Sequence, residues 1–198
     1  MVLSGYGNPM TLFGVYFSRA KEEVSHDATE VALATATGDG RPSVRMVLLK
    51  ALDERGLVFF TNYGSRKAQE LVQNPHAAMC FLWPSLQVQV RVEGVVEKLC
   101  DEDSDAYFAT RERLSQLGAW ASEQSQPLPN RETLLARVEE VTQRFLGQEV
   151  PRPPHWGGFL LLPLKMEFWQ GEPGRLHDRL VYARETTERD FSQTRLYP

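Results

Sequence analysis

The run QVQVRVEGVVEKL, residues 87–99, constrains this chain more than any other segment. Val88, Val90 and Val92 alternate with Gln87, Gln89, Arg91 and Glu93. A period of two puts the valines on one face and the polar side chains on the other, which is the pattern of a strand buried on one side. A helix would spread the same valines around its circumference. The chain must therefore build a sheet with an inner and an outer face.

Neighbouring segments supply partners for that strand. EVALATATGDGRPSVRMVLLKAL reads as two strands joined at TGDGRP, where Asp-Gly is a hairpin signal. DERG is a second turn, and LVFFTN and HAAMCFLW are two more strands, rich in aromatic and β-branched residues. FLLLPLKMEFWQ and RLHDRLVYAR are the last long strands, with GEPG turning between them.

Helices are expected in four places. Asn8 is a candidate N-cap, with Pro9 at the first helical position and Leu12, Val15, Tyr16 and Arg19 at helical spacing up to about Val24. GSRKAQELVQN is a short helix capped by Ser65 and closed before Pro75. DEDSDAYFATRERLSQLGAWAS is helical, with an acidic first turn that suits the helix dipole. NRETLLARVEEVTQRFLG is an amphipathic helix ending at Gly147. EQSQPLP and the Pro-rich QEVPRPPHWGG are connectors. Strands that cluster early and return at the end, with helices between, fit an α+β fold with a mostly antiparallel barrel better than alternating βαβ units. One domain over residues 1–198 is expected, with 1–8 a flexible lead-in.

Lys+Arg of 22 against Asp+Glu of 26 leaves a net charge of −4, which argues against a general nucleic-acid or membrane-surface binder. Cys80 and Cys100 form no C-x-x-C pair and no disulfide framework. MVLSGYGNPM lacks the features of a signal peptide, and GFLLLPLKM is too short to span a bilayer. A cytoplasmic location is the expectation. The histidines His26, His76, His155 and His177 show no metal-ligand spacing, and no G-x-G-x-x-G, P-loop or G-x-S-x-G is present. No metal site is expected.

Four clusters carry candidate chemistry. Arg66 and Lys67 fall in the first turn of a helix, where the dipole disfavours cations and free N–H groups favour an anion such as phosphate. Two solvated surface cations would look the same. Tyr107, Arg111 and Ser115 are spaced i, i+4, i+8, so one continuous helix would present them together to a phosphate monoester, or simply to water. Arg175, His177 and Arg179 alternate along RLHDR and would point to one side of a strand, toward an anionic or electron-rich partner or toward solvent. Gln89 and Arg91 form a polar strand face, and RMVLLK is an apolar strand with Arg45 and Lys50 at its ends.

The order of these pieces is more specific than any one of them. RPSVRMVLLK, FFTNYGSRKAQEL, QVRVEG, SEQS, WGG, MEFWQG and RLHDR resemble the pyridoxamine (pyridoxine) 5′-phosphate oxidases over about residues 9–198. The resemblance implies an FMN-binding split β-barrel that works as a homodimer. It implies oxidation of pyridoxamine or pyridoxine 5′-phosphate to pyridoxal 5′-phosphate, with O2 as acceptor and H2O2 as product. It places FMN against Arg45, Met46, Val47, Leu48, Phe60, Thr61, Arg66, Lys67, Gln89, Gln124, Ser125, Trp169 and Arg179. It assigns Lys50, Tyr107, Arg111 and Ser115 to the substrate phosphate, and Arg175 and His177 to the substrate ring, where they orient it and stabilise charge.

The sequence departs from that family pattern at a few positions. Glu123 stands where histidine is common in SHQS, Val88 where arginine is common, and Tyr197 where alanine is usual. The segment that can cover the substrate at the N-terminus is short here. A phenazine-biosynthesis oxidase is the nearest rival, since it resembles the same flavin site. That branch tends to lose the phosphate clamp, whereas all four clamp residues are present in this chain. A flavin or pyridoxal-phosphate carrier without turnover and a split-barrel reductase are the other readings.

Overall fold

The structure, a computed structural model, describes residues 6–198. Of the expected lead-in, residues 1–5 lie outside the described residues. Within the remainder, the Tyr6 carbonyl accepts from the Tyr182 hydroxyl and Asn8 caps the first helix, accepting from the Met10 N–H.

Nine strands form one antiparallel sheet: β1 (Glu30–Ala36), β2 (Pro42–Leu48), β3 (Ala51–Leu52), β4 (Leu57–Asn62), β5 (His76–Trp83), β6 (Val88–Lys98), β7 (Trp156–Gln170), β8 (Asp178–Ala183) and β9 (Ser192–Arg195). Their main order is β2-β1-β5-β6-β7-β4-β3, with β8 pairing β7 and β9 pairing β8. The sheet curls so that its two ends approach. Past β2, the Lys50 N–H donates to the Val58 carbonyl in β4 at 2.9 Å.

The valine face of β6 points inward, with Val88, Val90 and Val92 fully buried. They meet Leu33, Phe81, Trp83 and Phe168 from neighbouring strands. Helix α1 (Pro9–Glu23) closes this core with Leu12, Phe13, Tyr16, Phe17 and Ala20. Burying one such side chain stabilises the fold by roughly 1.5–3 kcal/mol. A bulge between Glu93 and Gly94 shifts the β6–β7 register and bends both strands.

Helix α2 (Arg66–Gln73) packs against β1. A separate layer holds α3 (Asp101–Ala109), α4 (Arg113–Ala121) and α5 (Arg131–Arg144) around Phe108, Leu117, Phe145 and Trp156. Three expectations need correction here. The segment from Asp101 is two helices, because α3 stops at Ala109 with Thr110 as its C-cap and Glu112, at φ −54° and ψ 140°, is the N-cap of α4. RLHDRLVYAR is not one strand: residues 173–175 form a 3-10 turn with Arg175 at φ 62°, and β8 starts only at Asp178. The strand after QEVPRPPH starts at Trp156, earlier than the apolar run, because Trp156, Gly157 and Gly158 pair with Asn62, Thr61 and Phe60. The small strand β9 has no apolar periodicity and was not anticipated.

Candidate active site

Edge strand β2, the β4–α2 junction and the α3–α4 break surround a cavity of about 880 Å³. Its wall gathers Arg45, Met46, Val47, Leu48, Lys50, Phe60, Thr61, Arg66, Lys67, Tyr107, Arg111, Ser115, Gln124 and Ser125. Those are fourteen of the positions expected from sequence, drawn from segments far apart in the chain. The volume lies in the range of ligand pockets, roughly 300–1,000 Å³.

One end of the cavity is built around Lys67. Its ammonium is buried, with the residue 8% exposed. It donates to Thr61 Oγ1 at 3.0 Å, Gln124 Oε1 at 3.1 Å and Ser65 Oγ at 3.4 Å, all neutral acceptors. Burial, with the nearby Arg45 cation, brings its pKa down to about 8. Ser65 occupies the N-cap position of α2, but its hydroxyl donates to the Asn62 carbonyl instead of capping. The first-turn N–H groups of α2 are therefore not taken up by that side chain, which favours an anion at this helix start.

Arg45 and Arg66 flank Lys67 and converge on Glu70. Arg66 Nε donates to Glu70 Oε1 at 2.8 Å, and Arg45 Nη2 lies 3.4 Å from Glu70 Oε2. Burial alone would raise the Glu70 carboxyl. Hydrogen bonds from Ser43, Thr35 and Arg66 overcome that and hold it at about 2.

The other end is aromatic and cationic. Phe60 stacks on Tyr107 with centroids 3.9 Å apart, and on Trp156 at 5.3 Å. The Arg111 guanidinium lies 4.6 Å from the Trp156 ring centroid. Arg111 Nη1 is buried with no hydrogen-bond partner among the described residues. Burial depresses the Arg111 pKa and raises that of Tyr107. Tyr107 lies in the last turn of α3, Arg111 in the break and Ser115 in the first turn of α4, so their convergence comes from the bend and not from i, i+4, i+8 spacing on one helix.

The remaining expected residues are not at this cavity in the protomer. Gln89, Trp169 and Arg179 lie on the outer face of β6, β7 and β8, where Gln89 pairs with Trp169 and Trp169 with Arg179. The Trp169 and His177 rings are 4.5 Å apart and line a separate small cleft. His177 Nδ1 accepts from the Glu172 N–H at 3.1 Å, which leaves Nε2 as the protonated nitrogen of the neutral ring. Arg175 is exposed on its turn. Arg179 Nε donates to buried Glu167 at 2.8 Å, and Arg91 Nη2 reaches the other oxygen of that carboxylate at 2.6 Å.

Other wall residues have little local signal in the sequence. Trp156 opens WGG, a motif whose spacing points to no role. Asn62, whose side chain bonds the Ser122 carbonyl, and Gly118, which has open space around it, carry no sequence signal. Behind the wall, buried Glu70 has only its i+4 spacing from Arg66 to mark it. Among the described residues no group of three or more His, Cys, Asp or Glu could hold a metal, and no helix is long and apolar enough to cross a membrane.

Residues 18–145 match the family model described as pyridoxamine 5′-phosphate oxidase. The chain belongs to that family. A second model, the pyridoxine 5′-phosphate oxidase C-terminal dimerisation region, matches residues 156–198. Curated family members include a pyridoxine/pyridoxamine 5′-phosphate oxidase of Rubrobacter xylanophilus, 55% identical over 90% of this chain and 82% of its own. A protein of the same description from Chromohalobacter salexigens is 51% identical over 100% of this chain and 92% of its own. Among solved structures, PhzG from Burkholderia lata, in complex with tetrahydrophenazine-1-carboxylic acid, superposes with a TM-score of 0.93 at 34% identity, covering 98% of this chain and 95% of that one. A pyridoxamine 5′-phosphate oxidase-related, FMN binding protein from Nostoc punctiforme superposes over the whole of both chains with a TM-score of 0.74 at 20% identity, which establishes likeness of fold alone. The curled antiparallel sheet with flanking helices is the split barrel of this oxidase family.

Proposed function

We propose that this chain is a cytoplasmic FMN-dependent oxidase that converts pyridoxamine 5′-phosphate and pyridoxine 5′-phosphate to pyridoxal 5′-phosphate. The observation that carries the reading is one cavity with two pairs of cations in its wall. Arg66 and Lys67 reach it from the start of α2, and Lys50 and Arg111 from the segment after β2 and the α3–α4 break. Two phosphate monoesters in one cavity, one on the cofactor and one on the substrate, account for both.

The donor set fits a flavin phosphate. Among the described residues Lys67 has only neutral hydrogen-bond partners, and the start of α2 offers N–H groups beside it. When bound, FMN supplies the acceptor for a hydride equivalent from substrate C4′ and the route by which those electrons reach O2 as H2O2. The chain's residues do the rest. Arg66, Lys67, Thr61 and Gln124 would hold the cofactor phosphate end. Arg45 and the β2 backbone through Leu48 would border the ring system, with Phe60 and Ser125 completing the wall. Lys50, Tyr107, Arg111 and Ser115 would fix the substrate phosphate. Holding donor carbon and acceptor in contact is the main contribution the protein makes. With the amine substrate, water then releases ammonia from the oxidised product.

A homodimer completes the site in this reading. Trp169, Arg175, His177 and Arg179 all fall within the region that matches the dimerisation model. Their outer sheet face continues toward the exposed Val44 and Met46 of β2, beside the cavity. Pairing two such faces would bring the His177 end of one protomer over the cavity of its partner. Arg175 and His177 would then orient the substrate ring, and Trp169, Arg179 and Gln89 would close on the flavin.

The phenazine-type alternative is disfavoured because Lys50, Tyr107, Arg111 and Ser115 surround one cavity, and a substrate without a phosphate has no use for them. The test is direct. The purified protein should release FMN on denaturation, and with pyridoxamine 5′-phosphate in air it should form pyridoxal 5′-phosphate, ammonia and H2O2. Absence of flavin binding, or turnover that is no faster with the phosphorylated amine than with pyridoxamine, would overturn the proposal.

A further inference from the structure

Glu70 is an unexpected residue to find behind a phosphate site. A carboxylate held ionised near an anion repels it. Yet this one is 4% exposed and accepts from four side chains. Its Oε2 accepts from Thr35 Oγ1 of β1 at 2.5 Å and from Ser43 Oγ of β2 at 2.6 Å, and lies 3.4 Å from Arg45 Nη2. Its Oε1 accepts from Arg66 Nε at 2.8 Å. Arg45 is tied further, by Nη1 to the Leu33 carbonyl at 3.1 Å and to Thr35 Oγ1 at 2.6 Å. The cluster thus joins β1, β2 and α2 through one side chain.

We infer that Glu70 is a positioning residue for cofactor binding, clamping Arg45 and Arg66 so that the cationic end of the cavity is preorganised for the flavin phosphate. The inference rests on the reading of that end as the FMN phosphate site. Arg66 is anchored through Nε alone, so its two terminal nitrogens make no hydrogen bond to the described residues and remain available to an anion. An arginine on a mobile stem would have to be ordered at the moment of binding, and that ordering weakens affinity. Anchoring it beforehand removes the loss.

Charge and position predict opposite signs, which makes the idea testable. Glu70→Gln removes a negative charge near the phosphate, so electrostatics alone would tighten FMN. Loss of the clamp would loosen it. Glu70→Asp keeps the charge but withdraws the carboxylate by one methylene, so it separates reach from charge. The experiment measures FMN and riboflavin dissociation constants of the wild-type, E70Q and E70D apoproteins by quenching of flavin fluorescence. E70Q should raise the FMN constant about tenfold or more, a loss of the size expected when charge-assisted contacts are misplaced, while riboflavin changes by less than about twofold. E70D should fall between E70Q and wild type, and it carries the test if E70Q does not fold. FMN binding by either variant as tight as wild type, or tighter, overturns the inference. A wild-type protein that binds riboflavin as tightly as FMN overturns the site reading itself.

Discussion

Lys67 is the residue whose environment departs most from that of an ordinary surface cation. Its folded-state pKa of about 8 lies below the usual lysine value. The unfolded chain therefore holds this proton over a pH range in which the folded apoprotein has lost it. Below pH 8 the buried charge destabilises the apoprotein, and the penalty is relieved as pH rises from 8 toward the unfolded value. Affinity for FMN should move the other way and weaken above pH 8, as the phosphate loses its ammonium partner. Titrating FMN binding across that range should show this fall for wild type and none for Lys67→Met, with riboflavin insensitive throughout. A flat wild-type profile would remove Lys67 from the phosphate site. Arg111 makes the corresponding prediction at the substrate end, where its buried Nη1 has no partner among the described residues. Arg111→Ala should raise KM for pyridoxamine 5′-phosphate by an amount equal to about 1.5–3 kcal/mol, the usual worth of a hydrogen bond to a charged group. Steady-state kinetics with phosphorylated and unphosphorylated pyridoxamine give the check, because an undiminished preference for the phosphate would place the clamp elsewhere.

At the scale of elements, the site depends on interruptions of regular structure. The break between α3 and α4 turns Tyr107, Arg111 and Ser115 toward one cavity. Gln87, Ser125 and Arg175, the non-glycine residues at positive φ among those described, all adjoin or belong to expected site positions. Such backbone conformations are costly and persist where the surroundings enforce them. The β6–β7 bulge is a further interruption, and Gly94 is its test. A Cβ on Gly94 would lie 2.0 Å from the Leu162 carbonyl oxygen, a clash with backbone that no rotamer change can relieve. Gly94→Ala should destabilise the fold by about 1–3 kcal/mol or more, the range seen for overpacking. Gly118→Ala in α4 meets open space and should gain up to about 1 kcal/mol from helix propensity. Urea unfolding of the two variants should move in opposite directions from wild type.

On the scale of the whole molecule, the outer sheet face is the feature the protomer leaves unexplained. Val44 and Met46 of β2 are 69% and 62% exposed, and Leu82 of β5, a strand whose other face is core, is 55% exposed. Exposed apolar side chains on one flat surface mark an association site. If a second copy covers this face and completes the flavin site, Leu82→Asp, at a position outside the cavity wall, should break the dimer and weaken FMN binding together. Light scattering and flavin titration on the same sample measure both. A Leu82→Asp monomer that still holds FMN as tightly as wild type would show the protomer to be sufficient.

Elements that obey a local period are legible along the chain alone. The alternation around Val90 specified a half-buried strand, Asn8 and Pro9 specified the start of α1, and the Asp-Gly of TGDGRP specified the β1–β2 hairpin. These signals act between residues a few positions apart, so local sterics and burial suffice to read them. The order of motifs also identified the family, and with it most of the cavity wall. Which residues share a site depends on contacts between distant segments. Tyr107, Arg111 and Ser115 converge through a helix break with no glycine or proline to announce it. Arg175 and His177 sit on a turn instead of a strand, because the chain must reverse after Gln170 before β8 can pair with β7. Glu70 collects partners 25 to 35 residues away, and such long-range convergence leaves no periodic trace, since it is fixed by the curl of the sheet and not by the spacing along the chain.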